Sequence, residues 1–149
     1  MAGILARVNS AEVSLSAATA KTVLQVTAAS NHRVLVRSIE VAIKGVNPVA
    51  TPVRVRVLRQ TTAGTMTSAT PVKLDSTDDE TLQTTAQHTA TAEPTAGDVL
   101  TVTELHPQAA MVDRFPYDTP IVVPGGTRLG IELLAVDAVT AAASITFEE

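Results

Sequence analysis

The stretch Asn31–Gln60, NHRVLVRSIEVAIKGVNPVATPVRVRVLRQ, carries the strongest structural signal in the chain. Leu35, Ile39, Val41 and Ile43 alternate with polar or small residues, and so do Val53, Val55 and Val57. Such alternation marks strands with one buried face. Gly45, Asn47, Pro48 and Pro52 lie between the two runs, where turn chemistry is needed and strand pairing is not. The stretch therefore predicts two long strands, joined as a hairpin or a crossover, in the middle of an all-β domain. The first run slips in phase, because Val34 and Val36 share one parity while Leu35, Ile39, Val41 and Ile43 share the other. Either both faces are partly buried, or a β-bulge near Arg37-Ser38 changes the inward face. In the second run Arg54 and Arg56 lie opposite the valine stripe. They read as a solvated outer face or as a basic strip for an acidic protein partner.

On the N-terminal side, Ala11–Ser16 and Lys21–Ala28 read as strands, with Val13, Leu15, Leu24 and Val26 inward. Residues 1–11 read as an extended arm or a short first strand, which puts the sandwich domain at 12–149. On the C-terminal side, residues 61–70 read as a polar loop and 71–75 as a short edge strand. STDDETL at 76–82 resembles a helix start, with Thr77 capping and Glu80 three residues on. Residues 83–92, 99–106, 121–123, 127–136 and 142–148 read as strands, with Leu129, Ile131, Leu133, Ile145 and Phe147 inward. Pro124-Gly125-Gly126 predicts a tight turn able to take positive φ. Residues 107–120 hold three prolines together with Phe115 and Tyr117, in a chain with only two Phe, one Tyr and no Trp. They read as a long irregular loop of the interface-forming kind. Eight or nine short strands without a long amphipathic helix predict a single-domain β-sandwich. Unequal loops, with no Cys or Trp, favour a jelly roll of about eight antiparallel strands over an immunoglobulin sandwich.

The bulk numbers fit this reading. A chain of 149 residues is the size of one domain, and its core must be aliphatic. With no Cys, disulfide and thiolate chemistry are excluded. The N-terminus lacks a basic region followed by an apolar run, and no run approaches the ~18 apolar residues of a membrane helix. Neither a signal peptide nor a membrane partner is expected. Charge is unevenly spread. Residues 1–74 hold nine basic and two acidic side chains, a balance of +7, whereas residues 75–149 hold two basic and thirteen acidic, a balance of −11. Pairing between the halves within one subunit is the plainer reading, and pairing between subunits the sharper one.

Reactive chemistry is hard to find. His32, His88 and His106 have no second His or Cys at ligand spacing. Asp75, Asp78, Asp79 and Glu80 lack the alternation and glycine of a calcium loop. There is no phosphate-cradling glycine motif and no nucleophile elbow. An acidic chain poor in aromatics gives little support to nucleic-acid binding. No enzyme activity, metal or cofactor is expected.

The second half carries a resemblance. TAEPTAG at 91–97, LHPQ at 105–108, IVVPGGTRLGI at 121–131 and the ending ITFEE at 145–149 resemble small proteins of tailed bacteriophages and prophages. Among such proteins are the jelly-roll head decoration, or cement, proteins. The likeness spans roughly residues 35–149 and carries no catalytic residue. It implies a structural virion protein, made in the host cytoplasm, that sits as a homotrimer on the capsid exterior and stabilises the major capsid protein lattice. Arg54, Arg56, Phe115 and Tyr117 are the candidate interface residues read from the sequence. A tail-associated or receptor-binding jelly-roll module is the alternative.

Overall fold

In a computed structural model, which describes residues 3–45 and 51–149, the phase slip in the long central strand resolves as a bulge. Strand β4 (Val34–Lys44) lies against the last strand, β13 (Val139–Glu148), with Thr146 opposite Ser38 but Phe147 opposite Val36. Arg37 is the extra residue. Val34 and Val36 therefore face inward on one side of it, and Ile39, Val41 and Ile43 on the other, all buried. One inserted residue restores the inward aim of a period-two pattern that had slipped by one.

The remaining strands are β1 (Leu5–Asn9), β2 (Val13–Leu15), β3 (Lys21–Thr27), β5 (Val53–Gln60), β6 (Thr65–Ala69), β7 (Val72–Lys73), β8 (Thr85–Ala92), β9 (Ala96–Leu105), β10 (Ala110–Arg114), β11 (Ile121–Val123) and β12 (Arg128–Leu134). They form two antiparallel sheets, and the described residues contain no helix. One sheet runs β10-β4-β13-β1-β7, with β11 also on β4 and β2 also on β13. The other runs β6-β8-β3-β12-β5-β9. The four-strand runs β10-β4-β13-β1 and β9-β5-β12-β3 of these orders are the two halves of a jelly roll. The chain changes sheet at every step between them except from β5 to β9. That one step carries an insertion, residues 61–95, whose strands β6, β7 and β8 extend both sheets on the side away from β9 and β10.

The core lies between the sheets and is aliphatic. Leu15, Leu24, Ile39, Leu129, Ile131, Leu133, Ile145 and Phe147 are all fully enclosed, as the alternation requires. The turn Pro124-Gly125-Gly126 has Gly126 at φ 77°, and Thr127 N–H closes it on the Pro124 carbonyl at 3.0 Å.

Several expectations need correcting. Of the two readings of residues 1–11, the short strand holds and the free arm does not. Leu5–Asn9 is a strand hydrogen-bonded between β13 and β7, with Ala6 and Val8 buried, because its short apolar residues alternate well enough to take an inner place in the sheet. The supposed polar loop at 61–70 contains β6, an edge strand of threonines whose side chains stay in solvent. Residues 76–82 form no helix. Asp75 Oδ1 accepts hydrogen bonds from Thr77 N–H (2.9 Å) and Thr77 Oγ1 (2.6 Å), and Asp78 Oδ1 accepts from Glu80 N–H at 2.9 Å. These side chains offer the backbone turn partners in place of helical ones. The irregular stretch at 107–120 is interrupted by β10. Asn47 and Pro48 of the expected central loop lie outside the described residues.

Two outcomes follow. Ile131→Ala is expected to lower stability by about 2–5 kcal/mol, measured by denaturant titration, through lost burial and a cavity at an inner strand. Removing residues 1–9 is expected to lower the thermal midpoint sharply, since β13 then loses its β1 neighbour, and an unchanged midpoint would refute the inner placement of β1.

Candidate functional site

The described surface offers no concave site lined by convergent reactive groups. No three His, Asp or Glu side chains among the described residues converge to hold a metal ion. His106 Nδ1 accepts from Gln108 N–H at 3.1 Å, which pins the bend between β9 and β10. His88 Nδ1 lies 2.8 Å from Thr89 Oγ1, where β8 kinks with Thr89 at φ 57°. What stands out instead is where charge and exposed apolar side chains are placed.

Arg54 and Arg56 project from β5 on the outer face of its sheet, because Val53, Val55 and Val57 take the inner one. Strand β12 runs beside them in a register that sets Glu132 opposite Arg56. Glu132 is 7% exposed and meets both guanidiniums with a single oxygen: Oε1 accepts from Arg56 Nε at 2.9 Å and Arg56 Nη2 at 2.5 Å, and lies 3.4 Å from Arg54 Nη2. The basic strip is thus paired inside its own subunit. A carboxylate enclosed to this degree is tolerable only because charge-assisted hydrogen bonds replace its water. The first-half cations here meet a second-half acid, so at this point the charge asymmetry of the sequence cancels within the chain.

Farther along the same outer face, Gln25 Nε2 donates to Gln60 Oε1 (2.6 Å) and Gln60 Nε2 donates to Thr22 Oγ1 (2.9 Å). Thr22 Oγ1 in turn donates to Glu93 Oε2 at 2.7 Å. Gly130 lies beneath, and a Cβ there would collide with the Gln60 amide. Glu93 and the Thr62 carbonyl, which accepts from Gln25 at 3.3 Å, close over this row from the connections that follow β8 and β5.

Phe115 and Tyr117 belong to the other sheet. The strand opposite the start of β4 is split: β10 pairs with Ser38–Ala42, β11 pairs with Val34–Val36, and the break faces the bulge at Arg37. Phe115 N–H bonds to the Arg37 carbonyl at 2.9 Å, and its ring packs against the core. Tyr117 is 76% exposed, with its ring stacked 3.9 Å from the Arg37 guanidinium carbon. Arg37 also donates to the Tyr117 carbonyl (3.1 Å) and through Nε and Nη2 to Glu148 Oε2 (3.0 and 2.5 Å). The other Glu148 oxygen accepts from Gly3 N–H at 3.0 Å. These bonds to Arg37, then to Gly3, hold the Glu148 carboxyl below the usual glutamate range. The sequence reading named Tyr117 but missed Arg37 and Glu148, whose meeting depends on β4–β13 register. The two pairs of candidate residues are not brought together: Arg54 and Arg56 sit on one sheet, Phe115 and Tyr117 beside the other.

The larger exposed apolar side chains collect at the edges. Val99, Leu100 and Val102 lie on β9, Val112 on β10 and Val122 on β11, with Tyr117 beside them. The short link His106–Ala109 keeps β9 and β10 on the same side of the sandwich. At the opposite edge of the sheet that holds β4 and β13, Leu5, Val72 and Leu74 are exposed on or beside β1 and β7, and among the described residues only Val136 falls outside the two groups. No protein-family model matches this chain, and no curated protein or solved structure is significantly similar to it.

Glu132→Gln is expected to cost on the order of 2 kcal/mol in a denaturant titration, the penalty of leaving two half-buried guanidiniums without their counter-charge. A loss no larger than that of a surface pair, below ~0.5 kcal/mol, would show the triad to be ornamental.

Proposed function

We propose that the protein is a structural virion component, a head decoration or cement protein that binds the outside of a tailed-phage capsid as a homotrimer and reinforces its lattice. One observation carries the reading: the exposed apolar side chains form two unlike groups at opposite edges of the sandwich, Val99, Leu100, Val102, Val112 and Val122 on one side, Leu5, Val72 and Leu74 on the other. Unlike patches on opposite sides suit a heterologous, head-to-tail contact that closes into a ring, whereas a twofold dimer needs one self-complementary patch. Contact at these edges also covers unpaired strand backbone, which is otherwise a hazard. The jelly-roll topology and the phage-protein likeness of residues 35–149 support the same reading. The triad at Glu132 argues that Arg54 and Arg56 stabilise the subunit and take no direct part in the contact. Tyr117, an exposed aromatic in the larger group, is the natural anchor.

Sedimentation equilibrium at micromolar concentration is expected to give a trimer, and Val102→Asp together with Val112→Asp to give a folded monomer. Purified protein is expected to bind expanded heads of its own phage. A wild-type monomer would remove the trimer, and absence of binding to those heads would remove the decoration role.

A further inference from the structure

We infer that the Arg37–Glu148 pair is an acid-releasable clasp between β4 and β13 that sets the conformation of the Tyr117 loop, residues 115–120. The loop leaves the sheet where β10 stops, opposite the bulge, and rejoins it at β11. It has one internal backbone bond, Thr119 N–H to the Pro116 carbonyl at 3.1 Å. Besides the packing of the Phe115 ring on the core, its other described ties run to the Arg37–Glu148 pair: the Phe115 N–H, the Tyr117 carbonyl and the face of the Tyr117 ring to Arg37, and the Tyr117 side chain beside Glu148. Arg37 in turn is aimed by Glu148, and both side chains are nearly enclosed, at 11% and 13% exposure. The exposed ring of Tyr117 is therefore positioned by a carboxylate on the last strand, one residue from the end of the sequence.

A planar guanidinium explains how one side chain does this. Its Nε and Nη2 grip the carboxylate, Nη1 reaches the loop carbonyl, and its face remains free to stack. The carboxylate is the titrating member. Around it stand Arg37 from β4, Tyr117 from the loop and the Gly3 N–H, with His32, Arg33 and Glu149 lining the adjoining hollow and uncharged Leu5 and Leu35 as its register partners. Arg7, farther along β1, is engaged with Thr146 and Glu40. Because folding depresses the Glu148 pKa, the clasp contributes fully above the ordinary glutamate value and is lost as pH falls through the lower, folded one. Protonation removes the acceptor for two guanidinium nitrogens. The core beside it, Ile145 and Phe147, is apolar and keeps its packing when Glu148 takes up a proton, so release of the loop does not itself part the strands.

This inference rests on the proposed function only for its consequence, a preset Tyr117 at the contact. It is tested on the isolated protein, apart from assembly. Tyr117 is the chain's one tyrosine and there is no tryptophan, so intrinsic emission reports the loop alone. Tyrosine anisotropy and acrylamide quenching are followed from neutral to acid pH in the wild type, with far-UV circular dichroism on the same samples. The expected result is a fall in anisotropy and a rise in quenching, with a midpoint below the ~4.3 of an unperturbed glutamate, while the strand spectrum is unchanged. Glu148→Gln and Arg37→Lys are expected to show the released signal already at neutral pH. If the tyrosine signal changes only together with the strand spectrum, or if the folded variants keep wild-type anisotropy at neutral pH, the clasp is overturned. Should one variant fail to fold, the other and the wild-type titration decide.

Discussion

A strand eleven residues long cannot keep its apolar side chains inward if their spacing slips by one, unless the backbone takes up the difference. In β4 that difference is Arg37. The bulge lets Val36 and Ile39, three apart in sequence, both face the core, where both are buried. It also costs the partner strand its continuity, since β10 and β11 pair on either side of it and the chain between them must leave the sheet. The side chain of the inserted residue then lies at the break, and its guanidinium fills it. Packing of the core, the position of the Tyr117 loop and the tie to Glu148 thus descend from one extra residue in one strand.

The outer face of the other sheet solves a different problem. Sandwich strands expose one face, yet Leu58, Gln60, Gln25, Thr22 and Glu132 are all buried there. The insertion between β5 and β9 makes this possible, since the segments flanking it, around Thr62 and Glu93, close over the row. Covering polar side chains is costly unless they find partners, and here the two amides, the Thr22 hydroxyl and the Glu93 carboxylate form a connected row, with Gln25 Oε1 alone in it left unpartnered. Beside that row, Arg54 and Arg56 meet Glu132, which ties β5 to β12, two inner strands of the jelly roll. Their charge is engaged in holding the subunit together, leaving little of it to recruit an acidic partner.

The period-two patterns made most of the sandwich legible from residues alone. Val53–Val57, Leu129–Leu133 and Ile145–Phe147 face inward as their spacing requires, and of the two readings of the phase slip at Arg37-Ser38, two partly buried faces or a bulge, the register bears out the bulge. Local chemistry failed where two local options compete. At 76–82 the same Asp and Thr residues can cap a helix or close turns on themselves, and without an apolar helical face to bury, the turns win. Leu5–Asn9 was ambiguous because its strand character is supplied by its neighbours β13 and β7. The ion pairs were illegible for a stricter reason. Arg56 and Glu132 are 76 positions apart and Arg37 and Glu148 are 111 apart, and only the strand order brings them together.

The edges show how such a domain handles its own surface. A sandwich has two pairs of edge strands, and a chain that works alone covers or blunts them. Here β6 is short and polar, and register shifts near Leu58 disturb the pairing of β9 and so twist its free edge. Those features guard against open-ended strand addition. Side-chain contact is a separate matter. Val102 at 59% and Val112 at 54% exposure lie on neighbouring strands of the two sheets, with acids Asp98, Glu104 and Asp113 among them. A twisted backbone edge with apolar side chains resists fibre-like pairing yet still offers a surface to a matching neighbour. In the assembly proposed above, a contact made by side chains of fixed geometry sets one rotation between neighbouring copies, and whether that rotation closes decides between a ring and a filament.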